Sequence, residues 1–152
     1  MGVSRLPFTL DDLDVTTPAL VRQERKVRFQ EVDAAGTIYF AKVFELCGDA
    51  YLELLESSGL DVAGILRAKT WAAPLRHAEA DYRAPLFFGD AVTVEIVRAH
   101  AGGSSLTIGH RLTRGDGQIA AVAITVHVFV DGGTFKPMPL PDALRARITR
   151  GA

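Results

Sequence analysis

The most constraining feature of this sequence is a change of hydrophobic period partway along it. Phe40, Val43, Phe44, Cys47, Ala50, Tyr51, Leu54 and Leu55 recur at steps of three and four, which puts a wide apolar stripe on one long helix. Ser57, Ser58 and Gly59 close that helix, with Gly59 suited to a left-handed end. After Pro74 the helical period is gone. Leu75–Ala84, Ala91–His100, Ser104–Thr113 and Gln118–Val130 read as strands, set apart by turn signals at 85–90, 101–103 and 115–117. The run Ile119 to Val130 is almost wholly apolar, as a covered central strand is. One long helix followed by four strands predicts an α+β fold, an antiparallel sheet wrapped against a central helix.

The flanks complete that outline. Val21 to Glu31 alternates polar residues around Val27 and Phe29 and reads as a first strand, which brings the sheet to about five strands. Asp61 is placed to cap a short helix running to Arg67, and a terminal helix starts at Asp142. The expected division is an N-terminal arm over 1–20, docked on the body, and one domain over 21–150. A sheet this small cannot cover the helix and both of its own faces, so pairing with a second subunit is expected.

Charge and cysteine content exclude several classes. The formal net charge is −1, so no basic field favours nucleic acid or an anionic membrane surface. Cys47 is the single cysteine, which rules out an internal disulfide framework and points to the reducing cytoplasm. No apolar run approaches the roughly 18 residues of a membrane span, and the opening MGVSRLPFTLDDLDVTT does not read as a signal peptide.

The stretch FQEVDAAGTIYFAKVF, residues 29 to 44, holds the chemistry. Asp33 stands at the mouth of the most hydrophobic helix, followed by Ala34, Ala35 and Gly36. As a turn residue, Asp33 needs no further account. The small residues behind it, however, leave room for a ligand to approach the backbone. The helix starting near Tyr39 also offers unpaired N–H groups and a positive dipole end, suited to an oxygen that becomes negative. A carboxylate facing such an end supplies what acyl transfer needs: one group to attack or to activate water, another to hold the oxyanion.

Other candidates are weaker. Glu45, Asp49 and Glu53 form an i, i+4 ladder opposite the apolar stripe and read as a solvated face; Glu45 alone is kept as an alternative catalytic acid. Cys47 lies on the stripe and reads as a core thiol. His77, His100, His110 and His127 are spaced too widely for helix-borne metal ligands, so no metal is expected. No G-x-S-x-G elbow and no Gly-rich phosphate loop occurs.

The segment D33-A34-A35-G36-T37-I38-Y39-F40 resembles the D-x-x-G-x-V/I-Y/W-F/H pattern of the hotdog-fold acyl-CoA thioesterases of the 4-hydroxybenzoyl-CoA thioesterase type. The resemblance continues through CGDAYLELL, PLRHAEADYRAPLFFGD and AVAITVHVFVD and covers roughly residues 22–140. Within that family the closest group is the 1,4-dihydroxy-2-naphthoyl-CoA thioesterases, through AGTIYFA with Cys47, Ala50 and Tyr51, and PLRHAEADYRAP with His77.

This resemblance implies a hotdog fold and hydrolysis of an aromatic acyl-CoA, such as 1,4-dihydroxy-2-naphthoyl-CoA or a hydroxybenzoyl-CoA. Asp33 matches the catalytic aspartate, as nucleophile or general base. The backbone N–H of Phe40 matches the group that polarises the thioester carbonyl, and Gly36 lets the loop pass close to the thioester. Tyr39, Arg76 and His77 are implied substrate contacts, the His77 region from a partner subunit. The family forms homodimers and homotetramers and uses no cofactor, coenzyme A being part of the substrate.

One departure concerns coenzyme A itself. The turn in which related enzymes can carry cations for its phosphates reads AHAGGSS here, without Arg or Lys. Arg98, Arg76, Arg145 and Arg147 are the substitutes in view, and a carrier-bound acyl group, which lacks the nucleotide, is the alternative substrate. A non-catalytic acyl-CoA-binding protein and a hotdog dehydratase are the rivals; the latter needs a histidine on the central helix, which has none.

Overall fold

The computed structural model of the chain describes residues 5–14 and 18–151; positions 1–4 and 15–17 of the expected arm lie outside them. After a 3-10 turn at Leu10–Asp14 come β1 (Val21–Lys26), a second 3-10 turn (Phe29–Glu31), α1 (Phe40–Ser57) and α2 (Val62–Ala68). Then follow β2 (Trp71–Ala72), β3 (Leu75–Tyr82), β4 (Ala91–Ala101), β5 (Ser105–Arg114), β6 (Ile119–Val128), β7 (Val130–Asp131) and α3 (Asp142–Arg150). Five strands form one antiparallel sheet in the order β1-β4-β5-β6-β3, and α1 lies across its inner face. This is the hotdog arrangement that the sequence predicts.

The core follows from the two periods. Val43, Leu46, Cys47, Ala50, Leu54 and Leu55 form the buried face of α1. Against them pack Val92, Val94 and Ile96 of β4, Leu106, Ile108 and Leu112 of β5, and Ala121 and Ala123 of β6. The register of β4 on β5 shifts between Ile96 and Arg98. Ordinary alternation puts Ile96 and Val97 on opposite faces, each of them buried, and the bulge keeps Arg98 on the outer face with Val97, over the Phe8 ring.

The outer face of the sheet has its own apolar cluster, and the arm supplies its cover. Phe8 and Leu13 pack there with Val97, Val122, Ile124 and Val126. Gly109 makes the close approach available: a Cβ at that position would stand 2.4 Å from Leu13 Cδ2 and 3.1 Å from Phe8 Cε2. Arg83 holds Asp14 and Asp11, Arg111 donates to the Leu13 carbonyl, and the Arg98 guanidinium lies 5.1 Å from the centre of the Phe8 ring. Leu13 is fully buried, so Leu13→Ala is expected to cost about 2–5 kcal/mol in urea unfolding. A loss well under 1 kcal/mol would mean that the arm adheres without contributing to the core.

Two boundaries and one pairing differ from the sequence reading. The first strand ends at Lys26, because Val27 turns its N–H to Asp90 O (2.9 Å) and its carbonyl to Gly89 N (2.9 Å). The last long strand divides after Val128, and β7 pairs with β2, which sequence did not anticipate. Two residues are too few to show a period; the Trp71 ring against Phe129, 5.0 Å between centroids, marks the packing there. The caps agree with expectation: Asp61 accepts from Gly64 N at 3.1 Å, and Gly59 has φ +92°. Among the described residues no helix is long and apolar enough to cross a membrane.

Candidate active site

The loop from Val32 to Ile38 is closed on itself before α1 begins. Asp33 N donates to Thr37 O (2.9 Å), and Gly36 N donates to Asp33 O (3.0 Å). Ala35 N donates to Asp33 Oδ1 at 2.9 Å, and Thr37 Oγ1 lies 3.5 Å from the same oxygen. Gly36 sits at φ +81°, where an L side chain is strained, although nothing lies within 4 Å of the Cβ it lacks. The glycine therefore serves the turn, and the space beside it is open. Asp33 is both an Asx-turn residue and an exposed carboxylate: one oxygen holds the loop, and Oδ2 has no partner among the described residues.

The start of α1 is fixed from two sides. Ile38 N donates to Leu86 O (2.7 Å) and Tyr39 N to Glu31 O (2.8 Å). The next residue, Phe40, opens the helix; Tyr39, the N-cap residue, gives no side-chain cap. The N–H groups of Phe40 and Ala41 meet no acceptor among the described residues, and they stand at the positive end of the helix dipole. The site thus pairs an anion and a donor pole a few residues apart on one rigid segment.

Tyr82 completes the bracing, and sequence reading assigned it no role. Its hydroxyl, at the far end of β3, donates to Phe40 O at 2.7 Å, tying the edge strand to the first residue of the helix. Only a hydroxyl set against one particular carbonyl does this, and neither period nor motif spacing shows it. Tyr82→Phe is expected to lower stability by about 0.5–1.5 kcal/mol and to slow turnover several-fold by loosening the helix start. Unchanged turnover would show that the helix start holds without it.

Aromatic side chains surround this loop and remain uncovered. Phe29, Tyr39, Phe40, Tyr82, Phe87 and Phe88 are all exposed. Tyr39 and Phe40 rings lie 4.8 Å apart, and Phe29 meets Phe88 edge-on at 6.1 Å. The 83–90 segment braces the Asp33 loop through the Thr37–Phe87 bridge and through Phe88 N, which donates to Gly36 O. An exposed apolar belt around a polar centre marks a surface that binds something.

The remaining candidates separate. Arg76 and His77 stand at the other end of β3, with His77 on the outer face beside Glu79 (3.3 Å), so a single chain does not bring them to Asp33. Glu45 is exposed and paired with Lys42 (3.0 Å), while Asp49 holds Arg25 (2.8 Å) and Glu53 accepts from Gln23. Cys47 is buried, and burial pushes its thiol up to about 12, which makes it a core thiol. His127 stacks on Tyr51 at 4.1 Å, and His110 is buried beneath α1. Among the described residues no three His, Cys, Asp or Glu side chains gather as a metal-binding group.

Comparison with known proteins agrees with this architecture. The model of the "thioesterase-like superfamily" matches residues 27–148. A 1,4-dihydroxy-2-naphthoyl-CoA hydrolase from Nostoc punctiforme is 35% identical over 120 residues, 79% of this chain and 80% of that protein. A crystal structure of a 1,4-dihydroxy-2-naphthoyl-CoA thioesterase from Synechocystis superposes with a TM-score of 0.79 at 28% identity, covering 85% of this chain and 95% of that one. A thioesterase from Thermus thermophilus, complexed with coenzyme A and Zn, superposes at 0.74 and 28% identity, covering 90% and 96%. From the matched length, the sheet wrapped on one helix and the aspartate loop at its start, we conclude that the chain belongs to the thioesterase-like superfamily.

Proposed function

We propose that this protein is an acyl-CoA thioesterase acting on an aromatic acyl-CoA, with 1,4-dihydroxy-2-naphthoyl-CoA as the leading substrate. One observation carries the reading: the Asp33 carboxylate keeps one oxygen free beside an uncapped helix start, within an exposed aromatic belt. Asp33 attacks the thioester carbon, or takes a proton from the water that does. The carbonyl oxygen gains negative charge and is held by the Phe40 N–H; the carbon–sulfur bond then breaks and coenzyme A leaves as the thiolate. Where Asp33 is the nucleophile, water then cleaves the acyl-aspartyl anhydride, which releases the carboxylic acid and restores the Asp33 carboxylate. Each step is served by the carboxylate and the backbone donors, so neither metal nor cofactor is invoked. The naphthoyl choice is supported by the relatives from Nostoc and Synechocystis and by the rings of Tyr39 and Phe40, suited to a flat acyl group.

A homodimer is part of the proposal. β3 lies at the edge of the sheet, and most of its residues are exposed, an edge open to a further strand. Antiparallel pairing of two copies along β3 sets the start of one strand beside the end of the other. The partner's Arg76 and His77 then approach Tyr82 and the helix start, which accounts for their separation from Asp33 within one chain. Pairing of two such dimers into a tetramer is the further expectation.

Initial rates of coenzyme A release from 1,4-dihydroxy-2-naphthoyl-, benzoyl- and hexanoyl-CoA test the reading. The expected order places an aromatic substrate above hexanoyl-CoA by roughly tenfold or more in kcat/KM, a difference of about 1.4 kcal/mol. Release from a carrier-bound acyl group alone would overturn the coenzyme A assignment. Tight acyl-CoA binding without release would make this a binding protein.

A further inference from the structure

We propose that the cleft between the N-terminal arm and the outer face of the sheet is an anion site that takes a phosphate ester, remote from the Asp33 centre of the same chain. The cleft encloses about 480 Å³, a volume in the range of small-ligand sites. Arg5 on the arm, Arg76 at the start of β3 and His100 near the end of β4 line it, together with the hydroxyl residues Ser105 and Thr107 of β5.

The cations are the first argument. The side chains of Arg5, Arg76 and His100 make no hydrogen bond or ion pair with any described residue. Among the described residues that line the cleft the one carboxylate is Glu79, 3.3 Å from His77, so two guanidinium charges face one carboxylate that already has a neighbour. The other arginines in view for phosphate binding are engaged. Arg98 covers Phe8 and faces Asp12 at 3.9 Å; Arg145 donates to Gly102 O (2.7 Å), and Arg147 to Leu20 O (2.6 Å). Arg76 alone of those four is left free. Unpaired guanidinium forks beside hydroxyl donors are the chemistry that recognises a phosphate oxygen.

The arm is the second argument. It lies outside residues 27–148, which match the family, yet Leu13 and Phe8 anchor it firmly on the sheet. The wall formed by Arg5, Leu6 and Pro7 is therefore an addition to the common fold. Arg145 fixes the opposite rim by closing the 102–103 turn.

The phosphate has two sources, the nucleotide end of a coenzyme A substrate or a separate phosphorylated ligand; the first rests on the thioesterase reading. Calorimetric titration of the full chain with pyrophosphate and with adenosine 3′,5′-bisphosphate at low salt tests the site without turnover. The expected result is saturable binding of at least one probe, weakened roughly tenfold or more in Arg5→Gln/Arg76→Gln and unchanged in Arg150→Gln, with the fold of each checked by circular dichroism. No binding at millimolar probe, or equal binding by the double variant, overturns the proposal. Where the bisphosphate competes with acyl-CoA and the double variant raises KM, the phosphate belongs to the substrate. Binding without competition makes it a separate ligand's. Should the protein hydrolyse no acyl-CoA at all, the titration still decides the site.

Discussion

Asp33→Asn is expected to lower kcat by about 10²–10⁴ while leaving the melting temperature close to that of the wild type. The two readouts part because the two oxygens have different tasks. Oδ1 accepts from Ala35 N and holds the turn, a bond that the amide oxygen of Asn retains. The free Oδ2 is the one positioned for chemistry, and Asn turns it into an uncharged NH₂ that neither attacks a thioester nor takes a proton from water. Asp33→Ala removes both and is expected to lose stability as well, by about 0.5–1.5 kcal/mol, because the exposed Ala35 N–H exchanges its protein partner for water. A fully active Asn variant would reduce Asp33 to a turn residue. Glu45 would then be the next acid to test, although its ion pair with Lys42 on the exposed side of α1 argues against it.

The largest effect on stability is expected from acid, through His110. This imidazole lies on the inner face of β5, fully buried, with Nε2 3.0 Å from Thr125 Oγ1 and Nδ1 without a partner. Burial first, and His127 second, push its pKa from 6.5 down to about 3. The folded chain therefore keeps His110 neutral where the unfolded chain protonates it. Between those two values the unfolded state binds one more proton, so stability is full above pH 6.5 and falls as the pH is lowered toward 3, by about 1.4 kcal/mol per pH unit at full slope. His127 is shifted the same way, mainly by burial, and adds to the loss. Ordinary carboxylates titrate near pH 4, so the interval from pH 6.5 to 5 belongs to the histidines. Urea unfolding at pH 7, 6 and 5 should show the wild type losing stability more steeply than His110→Asn. Equal slopes would mean that His110 takes up its proton in the folded state without penalty.

The parts legible in the sequence share one property: they depend on neighbours along the chain. The stripe from Phe40 to Leu55 and the strand runs after Pro74 are local periods, and each produced its element. Asp33, Gly36, Tyr39 and Phe40 could be placed together because one turn holds them. What sequence did not show depends on contacts across long separations. Tyr82 meets Phe40 across the sheet edge, and β2 meets β7 from far along the chain. The arm was expected to dock, but which face it covers depends on Gly109, a single missing side chain opposite Leu13 and Phe8. Phe29, Phe87 and Phe88 read as core or turn residues in sequence and prove to be the exposed belt around the Asp33 loop.

The central claim, that Asp33 and the start of α1 hydrolyse an aromatic acyl-CoA, is tested most directly by coenzyme A release from 1,4-dihydroxy-2-naphthoyl-CoA, with wild type and Asp33→Asn at equal folded concentration. The account predicts multiple turnovers by the wild type and a rate at least about a hundredfold lower for the variant. Equal rates, or no release by the wild type, would contradict it.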